Sequence, residues 1–89
     1  MIEVVKYQTP NCGPCKIIQI TLNQVAELLK DKLVAFSVVD ASEEPDKVRA
    51  MGITKAPTVI VFKDGQEVHR FVGALYKQAD FLAVLQPLL

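Results

Sequence analysis

Apolar positions along this chain fall into short dense runs and one long periodic stretch. Ile2-Glu3-Val4-Val5-Lys6-Tyr7 is rich in β-branched residues and predicts a buried strand. Thr9, Pro10, Asn11, Gly13 and Pro14 punctuate a loop after it. From Cys15 to about Leu29, Ile18, Leu22, Val25 and Leu29 recur at helical spacing, and Ile17 and Leu28 widen that face. Gln19, Asn23, Glu27 and Lys30 recur opposite, so the segment predicts a long amphipathic helix with Cys15 on its core side. Leu33–Val39 predicts a second strand. Ser42 is the expected N-cap of a short helix, with Pro45 in its first turn and Gly52 as its stop. Thr58–Phe62 and Glu67–Val72, joined across Asp64-Gly65, predict a β-hairpin. Phe81, Val84, Leu85 and Leu88 mark a last helix that Pro87 ends early.

The element order is therefore β-α-β-α-β-β-α. A helix joins the first two strands, which makes them parallel. The hairpin adds two antiparallel strands to the same sheet, and helices cover both faces. The expected fold is α/β, a four-stranded mixed sheet flanked by three helices.

Length and composition narrow the function classes. With 89 residues the chain is expected to form a single domain over residues 1–89. Ten basic residues balance ten acidic ones, which gives no field to draw nucleic acid or an anionic membrane. MIEVVKY is too short and too charged for a secretory signal or a membrane span. The cytoplasm is the expected compartment, where a disulfide is usually transient and catalytic.

Both cysteines lie in TPNCGPCK, as Cys12 and Cys15 with Gly13 and Pro14 between them. A structural staple, a metal clip and a redox couple all use such a pair. A metal site needs about four ligands. The chain offers two cysteines and one histidine, His69, far away on a predicted strand surface. A disulfide closing so small a loop constrains the unfolded chain little. A redox couple suits the location. Cys12 sits just before a helix, whose free N–H groups and dipole favour a thiolate. Cys15 lies one turn in and is the more buried resolving thiol. Cys-X-X-Cys beside a βαβ pattern is the recognised mark of such a redox motif.

The chain resembles the thioredoxin family. Cys12-Gly13-Pro14-Cys15-Lys16 matches that family's active-site motif. Gly52-Ile53-Thr54-Lys55-Ala56-Pro57-Thr58 resembles the segment leading through its cis-proline. Phe62-Lys63-Asp64-Gly65 resembles its hairpin, and Val72-Gly73-Ala74-Leu75 the segment after it. These matches come in the family's order and span nearly the whole chain. The resemblance implies a thioredoxin-like fold that lacks the N-terminal strand and helix of full-length thioredoxins. It implies a cis Pro57 beside the cysteines, substrate pairing along Ala56, and an apolar surface completed by Gly73 and Ala74. Two departures stand out. Asn11 replaces the usual tryptophan before the first cysteine, and Lys6 occupies the usual position of a buried aspartate.

What the resemblance implies is a thiol-disulfide oxidoreductase that reduces protein disulfides. Cys12 attacks, Cys15 resolves, and no metal or organic cofactor takes part. Electrons come from a thioredoxin-reductase-like donor or from glutathione. The protein is expected to act as a monomer, with no nucleic acid or membrane partner. One alternative is a glutaredoxin-like protein drawing on glutathione. Another is a binding module whose disulfide only sets its shape.

Overall fold

The computed structural model describes residues 1–89. Its strands are β1 (Ile2–Gln8), β2 (Val34–Asp40), β3 (Thr58–Lys63) and β4 (Gln66–Val72). Its helices are α1 (Gly13–Leu28), α2 (Pro45–Ala50) and α3 (Gln78–Leu85). Single 3-10 turns follow β2 and α3, at Ala41–Glu43 and Gln86–Leu88. The sheet runs in the order β2-β1-β3-β4. β1 and β2 are parallel, and the pairs β1–β3 and β3–β4 are antiparallel. Asp64 and Gly65 close the hairpin with φ of 53° and 83°. A two-residue turn of that kind requires positive φ at both positions, which Asp-Gly tolerates. No helix is long and apolar enough to cross a membrane.

Alternation along the strands sorts side chains to two faces. Ile2 and Val4 of β1, Val59 and Val61 of β3 and Phe71 of β4 meet Ile18, Leu22 and Val25 of α1 and Phe81 and Leu85 of α3. Phe71 sits between Tyr76 and Phe81, with ring centroids 5.0 and 4.5 Å away. Each such fully buried side chain contributes about 1.5–3 kcal/mol. On the opposite face Val5, Tyr7, Ile53 and Ile60 form a smaller cluster against Val48 and Met51.

Two sequence expectations fail in detail. Ile17 and Leu28 do not widen the buried face of α1; they are 63% and 60% exposed. At 100° per residue, both lie roughly 100–120° around the helix from the centre of the Cys15-Ile18-Leu22-Val25-Leu29 stripe. Ser42 does not cap α2. It lies inside the 3-10 turn, where its N–H and Oγ donate to Asp40 Oδ1 at 2.9 and 2.6 Å. The helix begins at Pro45 with Glu44 as N-cap. A residue before proline is disfavoured in the helical region, and Glu44 lies outside it at φ −135° and ψ 58°. The helix therefore starts no earlier than the proline itself.

Candidate active site

β1 ends at Gln8, and the chain turns back through Thr9, Pro10 and Asn11 into α1. Asn11 takes a left-handed φ of 58°, which its short polar side chain tolerates. Cys12 is the N-cap of α1, and Pro14 falls in the first turn, where a missing N–H costs nothing. Cys15 follows on the buried stripe. The two cysteines are joined in a disulfide, with their Cα atoms 5.2 Å apart.

The two sulfurs have different surroundings. Cys12 is half-buried rather than exposed, and its Sγ accepts the backbone N–H of Cys15 at 3.1 Å. Cys15 is only 2% exposed. Once the disulfide is opened, an N–H aimed at Sγ and the positive end of a 16-residue helix both favour Cys12 as thiolate. No such donor reaches the Cys15 sulfur. The pair can thus work in sequence, with an accessible thiolate first and a sheltered thiol second. Gly13 contributes no packing, since a Cβ there would meet nothing within 4 Å. It leaves the approach to Cys12 free of a side chain.

The sheet register brings the distant segments to this end. Tyr7 pairs with Thr58 and Thr58 with Val72, so the residues just before β3 and just after β4 flank the end of β1. The Ala56–Pro57 peptide bond is cis, and Pro57 is buried. Thr58 Oγ1 donates to the Lys55 carbonyl at 2.7 Å, which closes the loop around Ala56 and Pro57. Gly73 donates its N–H to the Pro57 carbonyl at 2.9 Å and holds φ at +94°, a conformation side chains rarely adopt. Ala56 makes no backbone hydrogen bond within the chain. A cleft of about 360 Å³ opens beside it, lined by Tyr7, Thr9, Val48, Arg49, Thr54 and Lys55 among others.

Some features of this end were not read from the sequence. Leu75 is 98% exposed just beyond Gly73 and Ala74, and it extends the apolar surface there. Lys6 is buried at 3% exposure, and its Nζ donates to the Cys15 carbonyl at 3.3 Å. Burial lowers its pKa. Strict alternation with Ile2 and Val4 carried that information, since it places Lys6 on the α1 side. His69 is exposed on β4, opposite Val61 of β3, with its ring tilted 60° against Phe71 at a centroid distance of 4.5 Å.

Comparison with known proteins agrees with this arrangement. The thioredoxin family profile matches residues 2–86. Over 72 residues the chain is 40% identical to chloroplastic thioredoxin Y1 of Arabidopsis thaliana, covering 81% of this chain and 41% of that protein. Over 82 residues it is 33% identical to the SPbeta prophage-derived thioredoxin-like protein YosR of Bacillus subtilis, covering 91% and 94%. The chain thus spans less than half of the plant relative and nearly all of the prophage one. Oxidised mitochondrial thioredoxin 3 of Saccharomyces cerevisiae superposes with a TM-score of 0.81 at 28% identity, covering 97% of this chain and 77% of that one. None of these three is a glutaredoxin.

Proposed function

The chain belongs to the thioredoxin family, and on that premise we propose that it is a thiol-disulfide oxidoreductase reducing the disulfides of protein substrates. One observation carries the reading above the others. Two cysteines share a disulfide at the start of α1, one half-buried with an N–H on its sulfur and the other sealed in the core.

In the reduced protein the Cys12 thiolate attacks one sulfur of a substrate disulfide. A Cys12–substrate bond forms, and the other substrate sulfur leaves and takes a proton. Cys15 then attacks Cys12, closes the internal disulfide and releases the second substrate thiol. Gly13 and Pro14 keep the pair at its spacing. The substrate backbone pairs in extended form with Ala56, beside Pro57, and its side chains rest on the surface at Gly73. The unpaired backbone of Ala56 supports that role. Electrons return from a thioredoxin-reductase-like donor or a small thiol, and no metal or organic cofactor takes part. The protein acts as a monomer in the cytoplasm, where the surrounding thiol pool keeps a dithiol available.

Insulin reduction in dithiothreitol tests this reading. The wild-type protein is expected to speed precipitation of the insulin chains. Cys12→Ser should abolish the acceleration. Cys15→Ser should accumulate a covalent adduct with substrate, visible by mass spectrometry. Failure of the wild-type protein to accelerate the reaction overturns the reading. So does a Cys12→Ser, Cys15→Ser double variant that still does.

A further inference from the structure

Lys6 is the only buried charged residue in the molecule. It lies on β1 between Val38 of β2 and Val59 of β3, turned toward α1. Its one hydrogen bond goes to the Cys15 carbonyl, and no carboxylate forms an ion pair with it. A cavity of about 160 Å³ opens beside it, lined also by Gln19, Asn23, Ser37 and Val38. Gln19 Nε2 donates to Asn23 Oδ1 at 2.8 Å, while Gln19 Oε1 is buried with no partner. A cation with unused N–H groups and an acceptor with no donor thus border the same polar space. Water bridging the two satisfies both.

A buried cation without a counter-charge is costly to folding. A methionine there would cost less. The carbonyl that Lys6 holds belongs to Cys15, whose own thiol can become an anion once the disulfide has opened. The remaining ionisable groups on the surrounding elements are otherwise disposed. On α1, Lys16 is exposed, and Glu27 is exposed and paired with Lys30. Cys12 is held by the Cys15 N–H. On β2, Asp40 accepts from Ser42. On β3, Lys63 lies at the opposite end of the strand, paired with Ile2. Glu3 and Tyr7 of β1 point to the other face.

We propose that in the reduced protein Lys6 and the Cys15 thiol share one proton, with Lys6 taking it as Cys15 resolves the mixed disulfide. The proposal rests on the redox reading above. In that step the Cys15 S–H bond breaks and the proton goes to the free amine of Lys6. The sulfur electron pair forms the Cys12–Cys15 bond, and the Cys12–substrate bond breaks. The substrate sulfur leaves with its electron pair and is protonated by solvent. The Lys6 ammonium then loses its proton to solvent through the cavity it shares with Gln19. Burial favours the free amine that this step needs.

Cys12→Ser leaves Cys15 as the sole thiol. Its thiolate absorbance is titrated with and without the added change Lys6→Met. Cys15 is expected to ionise at least one pH unit lower with Lys6 present, a tenfold difference in thiolate fraction below both pKa values. Coincident curves overturn the proposal. The unmutated protein gives a second reading that no misfolded variant can blur. The Lys6 Cε signal, titrated by NMR, should move to higher pH when the disulfide is reduced, because a neighbouring thiolate stabilises the ammonium. An unchanged Lys6 titration also overturns it. Neither readout involves a protein substrate, so either reading can fail while the other stands.

Discussion

On one face of the sheet, two helices seal 11 buried apolar residues. On the other, the six-residue α2 and its flanking turn cover only 4. The well-sealed face anchors Cys15 through the α1 stripe and fixes the end of the helix that carries both sulfurs. The thinly covered face holds the cleft beside Ala56 and finishes its rim with ions. Arg70 reaches over it toward Gly52 and pairs with Glu67. Rigidity is thus concentrated where a sulfur pair must be held in register. Open surface is left where a chain could lie.

A pair of truncations gives this contrast its hardest test. Phe81→Ala opens a hole between α3 and Phe71, a site with no solvent contact. It should cost about 3–5 kcal/mol. Met51→Ala on the thin face, where the side chain is half-exposed, should cost about 1 kcal/mol. Urea unfolding of both variants decides the matter. Equal losses would show that the two faces support the fold alike, and the proposed division would fall.

The strong features of this architecture were legible in the sequence because they are periodic or local. The β1 run, the α1 stripe through Cys15, Ile18, Leu22 and Val25, and the Asp64-Gly65 turn each carry their own physical signal. What escaped depends on the geometry around a residue. Ile17 and Leu28 are apolar, yet they sit off the stripe, and residue type outweighed angle. Ser42 looked like a cap, but Pro45, two positions after the 3-10 turn that holds Ser42, is itself the helix start, with Glu44 as its N-cap. Lys6 carries two opposed signals: its alternation with Ile2 and Val4 points inward, and its charge favours solvent; in the fold it is buried. At the site, the cysteine pair was readable from spacing alone. That Ala56, Pro57 and Gly73 come together at the end of β1 could be expected only through family resemblance, because sheet register joins segments that are remote in sequence.

Lys6 is the one flaw in the seal of the α1 face, and removing it sharpens the contrast. In the oxidised protein, Lys6→Met should raise stability by about 1 kcal/mol, the low end for replacing buried ions. The pH dependence carries the sign. Burial lowers the folded pKa of Lys6 beneath the unfolded value of about 10.4. Between those two values the unfolded chain binds more protons, so wild-type stability rises with pH there. Lys6→Met should lack that rise. Tyr7, whose folded pKa is raised mainly by burial, acts oppositely above about pH 10, so the comparison belongs below it. Loss of stability in Lys6→Met at neutral pH would mean that the lysine supports the oxidised fold rather than straining it.

The smallest effect belongs to the ionic rim of the thin face. Arg70 Nε and Nη2 donate to the two carboxylate oxygens of Glu67 at 2.9 and 2.7 Å. The hydrogen bonds from Arg70 hold the Glu67 pKa below its ordinary value. The pair stays partly in water, with side chains 25% and 38% exposed, so its worth is about 0.5 kcal/mol. Glu67→Gln should therefore lower Tm at pH 7 by about 2–4 °C. A carboxylate with a depressed folded pKa lends its stability above the unfolded value of about 4.3 and loses it as pH falls through the folded one. The gap between Glu67→Gln and wild type should accordingly close in acid, and it should narrow in high salt. A gap that persists at low pH would mean that the carboxylate charge is not what holds the rim, because glutamine keeps the shape of glutamate and protonated glutamate keeps its packing. The two faces would then differ in extent rather than in kind.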